Sequence, residues 1–478
     1  MNIQIIRVLI QLASLITVVD SLQGYMKSRS PKDVTAHILT GLRDNNNPLP
    51  GTTSSTVTQN HTIKSLILET HFYDPSTGLH SEGVWHNALV GIASLQLQND
   101  ENDENENEYE YASRIADSLY KHAWDGCSFR RRSWSGNWDH SSLLVQAENP
   151  PAQANYYRES DEHRCVQHGI ALVFWSKLLL DGTKRSTGTC KGTPSSSPSG
   201  ALKCQEQQKL IAEQFLKEFW DESVQKWTTV SQTQGRGSTI RLSASAAKQT
   251  LGVSEETQLP YYRAVDQAIA VLACLDHLKV LQQQDRNGND NVHASKERLI
   301  GIIQTTCRQI LCPTNGFGYE KNREAKNYLG LDRNRNFWHD GWTFLALVKA
   351  RQYLWPLDTN HGEAELDAMW NTLVDMYRLT GSGSADCCDG TIWHWPHEMK
   401  DELSNVRYCG DNALAFAIRR NLALAGSGSV TGDGEEEFWR FIDSLRQGDS
   451  RGLASVADAY PQVRLHPNTE LAALLVWP

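Results

Sequence analysis

Six short clusters of carboxylates, amides and imidazoles recur along the chain, each at the head of an apolar stretch. They are Trp85-His86-Asn87-Ala88, Val166-Gln167-His168-Gly169, Val265-Asp266-Gln267-Ala268, Trp338-His339-Asp340-Gly341, Gly410-Asp411-Asn412-Ala413 and Pro467-Asn468-Thr469-Glu470. Carboxyl groups brought together from Asp266, Asp340, Asp411 and Glu470 could cleave a glycosidic bond, one protonated as acid and one ionised as base or nucleophile. Asp340 lies between His339 and Trp342 on a strongly apolar stretch, and poor solvation beside an aromatic ring raises a carboxyl pKa, so it is assigned as the acid. Asp411 is its expected partner and Asp266 a third candidate. The imidazoles of His339, His86, His168 and His466 permit a different chemistry, removal and return of a proton beside a sugar carbonyl. Taken singly, each of these residues is also a good helix cap, so a site requires that they converge.

Aromatic side chains crowd the same places. Trp85, Tyr261, Tyr262, Trp338, Trp342 and Tyr408 flank the clusters, and Trp393-His394-Trp395-Pro396 precedes the fifth. Rings that are apolar on the face and polar at the edge suit the surface of a sugar, so Trp85, His86, Tyr261, Trp338, Trp342, Trp393, His394, Trp395, Tyr408 and Glu470 are expected to bind substrate. Cys387, Cys388, His394, His397 and Cys409 could in principle hold zinc, but adjacent cysteines chelate one ion poorly and no Cys-x2-Cys spacing is present. No metal and no cofactor is therefore expected. The chain contains neither a phosphate-cradling glycine fingerprint nor a Gly-x-Ser-x-Gly elbow.

The elements that would position these residues are helices in pairs. The stretches behind the clusters are apolar nearly all round, as buried helices must be, whereas each is preceded by an amphipathic segment. Leu366, Met369, Trp370, Leu373, Val374 and Tyr377, for example, share one face opposite Glu365, Asp367, Asn371 and Asp375. The pairs are expected at 62–72 with 85–98, 109–123 with 162–180, 204–220 with 261–281, 294–312 with 337–355, 363–380 with 408–425 and 434–447 with 467–477. Phe72-Tyr73-Asp74, Ala123-Trp124-Asp125 and Phe219-Trp220-Asp221 repeat an aromatic-Asp exit, each followed by turn residues and a short extended stretch. The long connections run from the first to the second member of a pair, so they would emerge where the clusters lie and build a cleft.

This pattern of six hairpins, polar openings followed by Ala or Gly, and aromatic-rich loops resembles the six-hairpin glycosidase-like superfamily, which also contains enzymes of the N-acylglucosamine 2-epimerase type. The resemblance covers residues from about 62 to the end and is architectural; the adjacent Asp-Asp pair of some endo-mannanases of this fold is absent. It implies an all-α fold, an (α/α)6 toroid, with the cluster ends of the inner helices sharing one mouth. The function it implies is a carbohydrate-active enzyme, expected to be a glycoside hydrolase, with a sugar 2-epimerase or isomerase and a non-catalytic carbohydrate-binding toroid as alternatives.

Composition agrees with a single large core: 478 residues, 40% of them hydrophobic, with 15 Trp and 15 Tyr. A net charge of -10 with dispersed basic residues excludes nucleic acid as an expected partner. Val8 to Val19 reads as a signal-peptide core, with residues 1–24 removed on secretion and no membrane span in the mature chain. Residues 25–61, rich in Asn, Pro, Ser and Thr, read as a poorly ordered lead-in to a toroid domain at 62–478. The acceptor Asn60-His61-Thr62 and a disulfide closing the loop between Cys190 and Cys204 would fit a secretory compartment, as would a bridge from Cys387 or Cys388 to Cys409. Cys274 and Cys307 read as buried thiols.

Overall fold

A computed structural model describes residues 29–44, 69–74, 79–97, 108–134, 162–186, 198–233, 239–242, 257–260, 263–286, 292–310, 336–354, 359–377, 392, 408–424, 435–445 and 465–477. Among them are twelve long helices, alternately amphipathic and largely buried. The even-numbered helices are α2 (Val84–Leu97), α4 (Cys165–Ser186), α6 (Ala264–Arg286), α8 (Phe337–Leu354), α10 (Cys409–Leu424) and α12 (Leu465–Leu475). Each packs on the next and α12 packs back on α2, closing an inner ring of six. The odd-numbered helices are α1 (Pro31–Asp44), α3 (Glu108–His122), α5 (Pro198–Phe219), α7 (His293–Ile310), α9 (Thr359–Tyr377) and α11 (Glu435–Leu445), and they lie outside that ring. The architecture is the expected all-α (α/α)6 toroid.

Burial explains which helix takes which layer. Every residue from Val84 to Leu95 in α2 and from Val265 to Asp276 in α6 is buried, so these helices have no wet face. In α9 the stripe Leu366, Met369, Trp370, Leu373, Val374 and Tyr377 is buried while Asn371 and Asp375 are exposed. Small residues in the openings allow the inner helices to approach. A Cβ on Gly169 of α4 would meet Ile269 of α6 at 2.8 Å, and one on Gly341 of α8 would meet Leu414 of α10 at 2.7 Å.

The first pair differs from the sequence expectation. Residues 31–44, expected in a poorly ordered lead-in, form the outer helix α1, and the region expected as the first outer helix contains strand β1 (Glu69–Asp74). Pro31 opens α1, Val34, Ile38, Leu39 and Leu42 form its buried stripe, and Thr35 donates a buried hydrogen bond of 3.1 Å to the Ala472 carbonyl of α12. Four apolar residues at helical spacing outweigh the polar composition around them, because only the inward face has to be apolar.

The aromatic-Asp exits are entries into β-hairpins. β1 pairs antiparallel with β2 (Leu79–Gly83), matching Asp74 with Leu79, and β2 pairs with β3 (Arg132–Trp134). β4 (Trp220–Asp221) pairs with β5 (Lys226–Trp227), and Trp124 bridges to Phe129 in the same way. The Asp125 carboxylate accepts from the amides of Cys127 and Ser128 at 3.0 and 2.9 Å, and Asp221 accepts from the Ser223 amide at 3.0 Å. These are Asx turns, in which the aspartate side chain substitutes for backbone. Gly126 at φ 101° and Gln225 at φ 54° take the left-handed conformations the turns need. A further hairpin, β6 (Thr239–Leu242) with β7 (Thr257–Pro260), precedes α6.

Among the described residues no helix is long and apolar enough to cross a membrane. Cys204 and Cys409 are free thiols among the described residues, and the partners expected for them, Cys190, Cys387 and Cys388, lie outside those residues. Cys409 is fully buried at the head of α10, and Cys204 packs from α5 against the core, so both serve as apolar side chains. Cys274 and Cys307 are buried thiols, as expected. Residues 1–24, Asn60, Cys190, Cys387 and Cys388 lie outside the described residues.

Candidate functional site

The polar openings divide into two groups with different partners. The residue just before the small Ala or Gly is an anchor in five of the six. Asn87 donates to the Gly83 carbonyl at 2.9 Å. Gln267 accepts from the Trp227 amide and donates to its carbonyl at 2.9 and 2.7 Å, and Asn412 does the same with Ile392 at 2.9 and 3.0 Å. These amides extend the hairpin backbone with side-chain hydrogen bonds. His168 meets the Ile211 carbonyl through Nε2 at 3.0 Å, which fixes that nitrogen as the donor and leaves Nδ1 to accept from the Ser128 hydroxyl at 2.9 Å. Burial among Trp124, Phe129, Phe215 and Phe219 pulls its pKa down to about 3, so the ring is neutral and structural.

Asp340 is the fifth anchor. Its carboxylate accepts a 2.6 Å hydrogen bond from the Tyr377 hydroxyl at the end of α9, so it points between the layers and ties the inner helix to the outer one. Asp266 is also held within the wall, bidentate to Arg263 at 2.8 and 2.7 Å and accepting from the Thr229 hydroxyl at 2.7 Å. Two of the three aspartates expected to do chemistry thus bind protein partners, Asp266 through both oxygens and Asp340 through Oδ2.

The other group meets across the ring. Trp85 opens α2 and Trp338 opens α8, on opposite sides of the toroid, yet their rings lie 5.6 Å apart. Both indole N–H groups donate to the same oxygen, Glu470 Oε1 in the first turns of α12, at 3.0 and 3.1 Å. Oε1 is therefore fully occupied, and a proton on this carboxyl must sit on Oε2. That oxygen faces Gly410 of α10, where a Cβ would approach to 2.6 Å, so any larger residue there would force the Glu470 carboxyl to shift. Burial raises the Glu470 pKa to about 7; the two indoles oppose the rise and the charge of Asp411 adds to it. The same two carboxylates add to the upward shift that burial imposes on the Cys409 thiol. Asp411 is therefore the one expected aspartate that shares this neighbourhood.

Two imidazoles flank this cluster, His86 buried and His339 half-buried. His86 Nδ1 lies 3.0 Å from the Thr469 hydroxyl, bridging α2 to α12. His339, half-buried beside Trp338 with rings 5.1 Å apart, has its amide capped by the Asn336 side chain at 3.0 Å. Tyr408 is half-buried at the head of α10, where its carbonyl accepts from Asn412. Below the mouth, Trp342 packs on Trp85 at 5.7 Å and on Trp477 at 5.5 Å, so a column of indoles closes the axis. The Trp342 indole N–H and the Gln167 carboxamide oxygen at the head of α4 are buried without partners among the described residues. Tyr261, Tyr262, Trp393, His394, Trp395, His397 and Glu398 lie outside the described residues, and no group of three or more His, Cys, Asp or Glu among those described could hold a metal.

Glu470 is among the residues the sequence marks for substrate binding, and nothing local in the sequence signals its tryptophan partners. Its spacing to Trp85 and Trp338, 385 and 132 residues away, is legible only once the ring is closed.

The fold is shared with sugar-converting enzymes. A D-mannose isomerase structure matches with a TM-score of 0.52 at 10% identity, over 83% of this chain and 86% of that one. Cellobiose 2-epimerase from Spirochaeta thermophila DSM 6192 matches at 0.53 with 11% identity, over 83% and 86%. Cellobiose 2-epimerase from Bacillus thermoamylovorans B4167 matches at 0.50 with 10% identity, over 83% and 88%. No protein-family model matches the sequence, and no curated protein sequence matches it. At these identities the likeness establishes the fold alone, an (α/α)6 toroid of helical hairpins.

Proposed function

We propose that the chain is a carbohydrate-active enzyme of the sugar epimerase or isomerase type, with Glu470 as the acid-base group. The observation that carries this reading is a buried carboxyl whose Oε1 accepts from two indoles brought from opposite sides of the ring, an environment in which burial raises its pKa to about 7. A group half-protonated near neutrality can both take up and return a proton, which epimerisation requires of one active site. In the proposed step a base removes the proton from the carbon beside the carbonyl of an open-chain sugar. The electron pair passes into an enediolate, and a proton returned to the other face gives the epimer, or to the neighbouring carbon the isomer. Glu470 and the half-buried imidazole of His339 are the pair assigned to this exchange, with Trp338 as the sugar platform between them and His86 beside it. That the fold neighbours include a D-mannose isomerase and two cellobiose 2-epimerases supports the same class.

Glycoside hydrolysis is the second reading, and Asp411 favours it. A protonated Glu470 with the Asp411 carboxyl group nearby would supply the acid and the second carboxyl that hydrolysis requires. Asp340 and Asp266 have no catalytic part in either reading. Incubating the enzyme with mannose, glucose and cellobiose in deuterated water, with proton NMR at C1 and C2 and an assay for new reducing ends, separates the two. Deuterium entering C2 of the aldose supports epimerisation, and deuterium entering C1 of a ketose product supports isomerisation. Release of reducing ends from oligosaccharides without exchange overturns that reading in favour of hydrolysis. The apolar run Val8 to Val19 supports action in the secretory pathway, which sequencing the N-terminus of the protein from culture medium would test.

A further inference from the structure

The opposite end of the toroid holds a cavity of about 120 Å³, lined by Lys177 of α4, Asp276 and Lys279 of α6, Lys349 and Tyr353 of α8, and Trp477. Lys177, Asp276 and Lys349 are equivalent by repeat, each twelve residues after the first residue of its helix, Cys165, Ala264 or Phe337. At 1.5 Å per residue this places them about 18 Å below the heads of their helices. The column of Trp85, Trp342 and Trp477 stands between the two ends.

Charge in this cavity is unbalanced. Asp276, almost fully buried, accepts from Lys279 at 2.5 Å and pairs with Lys177 at 3.3 Å, so one carboxylate serves two amines. Lys349 has no ion-pair partner among the described residues, and Arg420 of α10 lies near enough to act on it electrostatically. The wall itself carries three lysines and one aspartate, an excess of two positive charges, while Asp181 beyond the lining acts on Lys177. Burial, with the charges of Lys177 and Lys279 adding to it, pulls the Lys349 pKa down to about 8. Lysines often sit near helix C-termini to offset the dipole, but a dipole does not require a cavity, nor does it bury Lys177 to 7% exposure. Lys177 also lies over the Trp477 ring at 5.5 Å, which puts a flat apolar surface beside the cations.

We propose that this cavity binds a phosphate dianion, free or as the phosphomonoester of a small sugar, with Lys349, Lys177 and Lys279 as its cationic wall and Trp477 as a platform. The excess of two charges matches a dianion better than a single carboxylate, and the volume admits a small ligand. Anion binding here is independent of the sugar chemistry at the other mouth.

Calorimetric titration of the full chain with inorganic phosphate and with glucose 6-phosphate, at constant ionic strength against chloride, tests it. Binding is expected, weakened at least about tenfold in Lys349→Gln and kept within about threefold in Lys349→Arg. Tighter binding of glucose 6-phosphate identifies a phosphomonoester site, and tighter binding of inorganic phosphate a free-anion site. Lys279→Gln, whose side chain is 40% exposed, should weaken binding as well and serves if Lys349→Gln does not fold. Phosphate binding no stronger than chloride, or unchanged affinity in the glutamine variants, overturns the proposal.

Discussion

Replacing Glu470 by Gln should abolish turnover while stabilising the protein at alkaline pH. The carboxyl has a folded-state pKa of about 7 against an ordinary value of 4.5. A raised carboxyl pKa means the folded state holds its proton more tightly than the unfolded chain. Its favourable contribution is therefore complete below about pH 4.5 and is lost as pH rises through about 7. The difference between the two values corresponds to about 3 kcal/mol at pH 8, the cost of keeping the ionised carboxylate in this desolvated position. A glutamine side chain in its place would mimic the protonated acid: its carbonyl accepts both indole N–H groups and its amide takes the place of the Oε2 hydroxyl, without a charge to bury. Chemical denaturation of both proteins at pH 5 and pH 8 reads the effect. The wild type should lose about 2–3 kcal/mol relative to the variant between the two, while turnover of the variant falls by roughly 10²- to 10⁴-fold. A variant whose deficit or advantage is the same at both pH values would refute the assignment of the raised pKa to Glu470.

Other consequences follow from the same contacts. Trp338→Phe removes one of the two donors to Glu470 Oε1 and should move the corresponding inflection of the pH–rate profile upward by about one pH unit. Gly410→Ala puts a methyl group 2.6 Å from Glu470 Oε2 and should lower kcat more than it changes the melting temperature, as read by steady-state kinetics and calorimetry. Asp340 and Tyr377 should show a coupling of about 1–2 kcal/mol in a double-mutant cycle of Asp340→Asn and Tyr377→Phe measured by denaturation. Asp266→Ala, which takes the carboxylate away from the partly buried Arg263, should cost about 3 kcal/mol in the same assay.

The architecture was readable because two periodicities report it independently. Apolar stripes mark α9 and α5 as outer helices, while uninterrupted burial marks α2 and α6 as inner ones. The aromatic-Asp exits proved to be one repeated hairpin entry, in which Asp125 and Asp221 form the same Asx turn. The first outer helix is hard to read in the sequence because the stripe of Val34, Ile38, Leu39 and Leu42 is diluted by polar neighbours within a segment of polar composition. The site was only half legible. Residue type at a helix head does not reveal whether a side chain turns toward the axis or into the wall. Asp340 and Asp266 turn to Tyr377 and Arg263, whereas Glu470, one position displaced from the pattern of the other openings, reaches two tryptophans from distant repeats. No local spacing encodes that meeting, which arises from closure of the ring by α12 on α2.

The decisive experiment is the initial rate of solvent deuterium exchange into mannose and cellobiose, compared among the wild type, Glu470→Gln and Asp340→Asn. If Glu470 moves the proton, exchange at C2 occurs in the wild type, is lost in Glu470→Gln, and is retained within a few-fold in a folded Asp340→Asn. Exchange that survives in Glu470→Gln but disappears in Asp340→Asn would contradict that role.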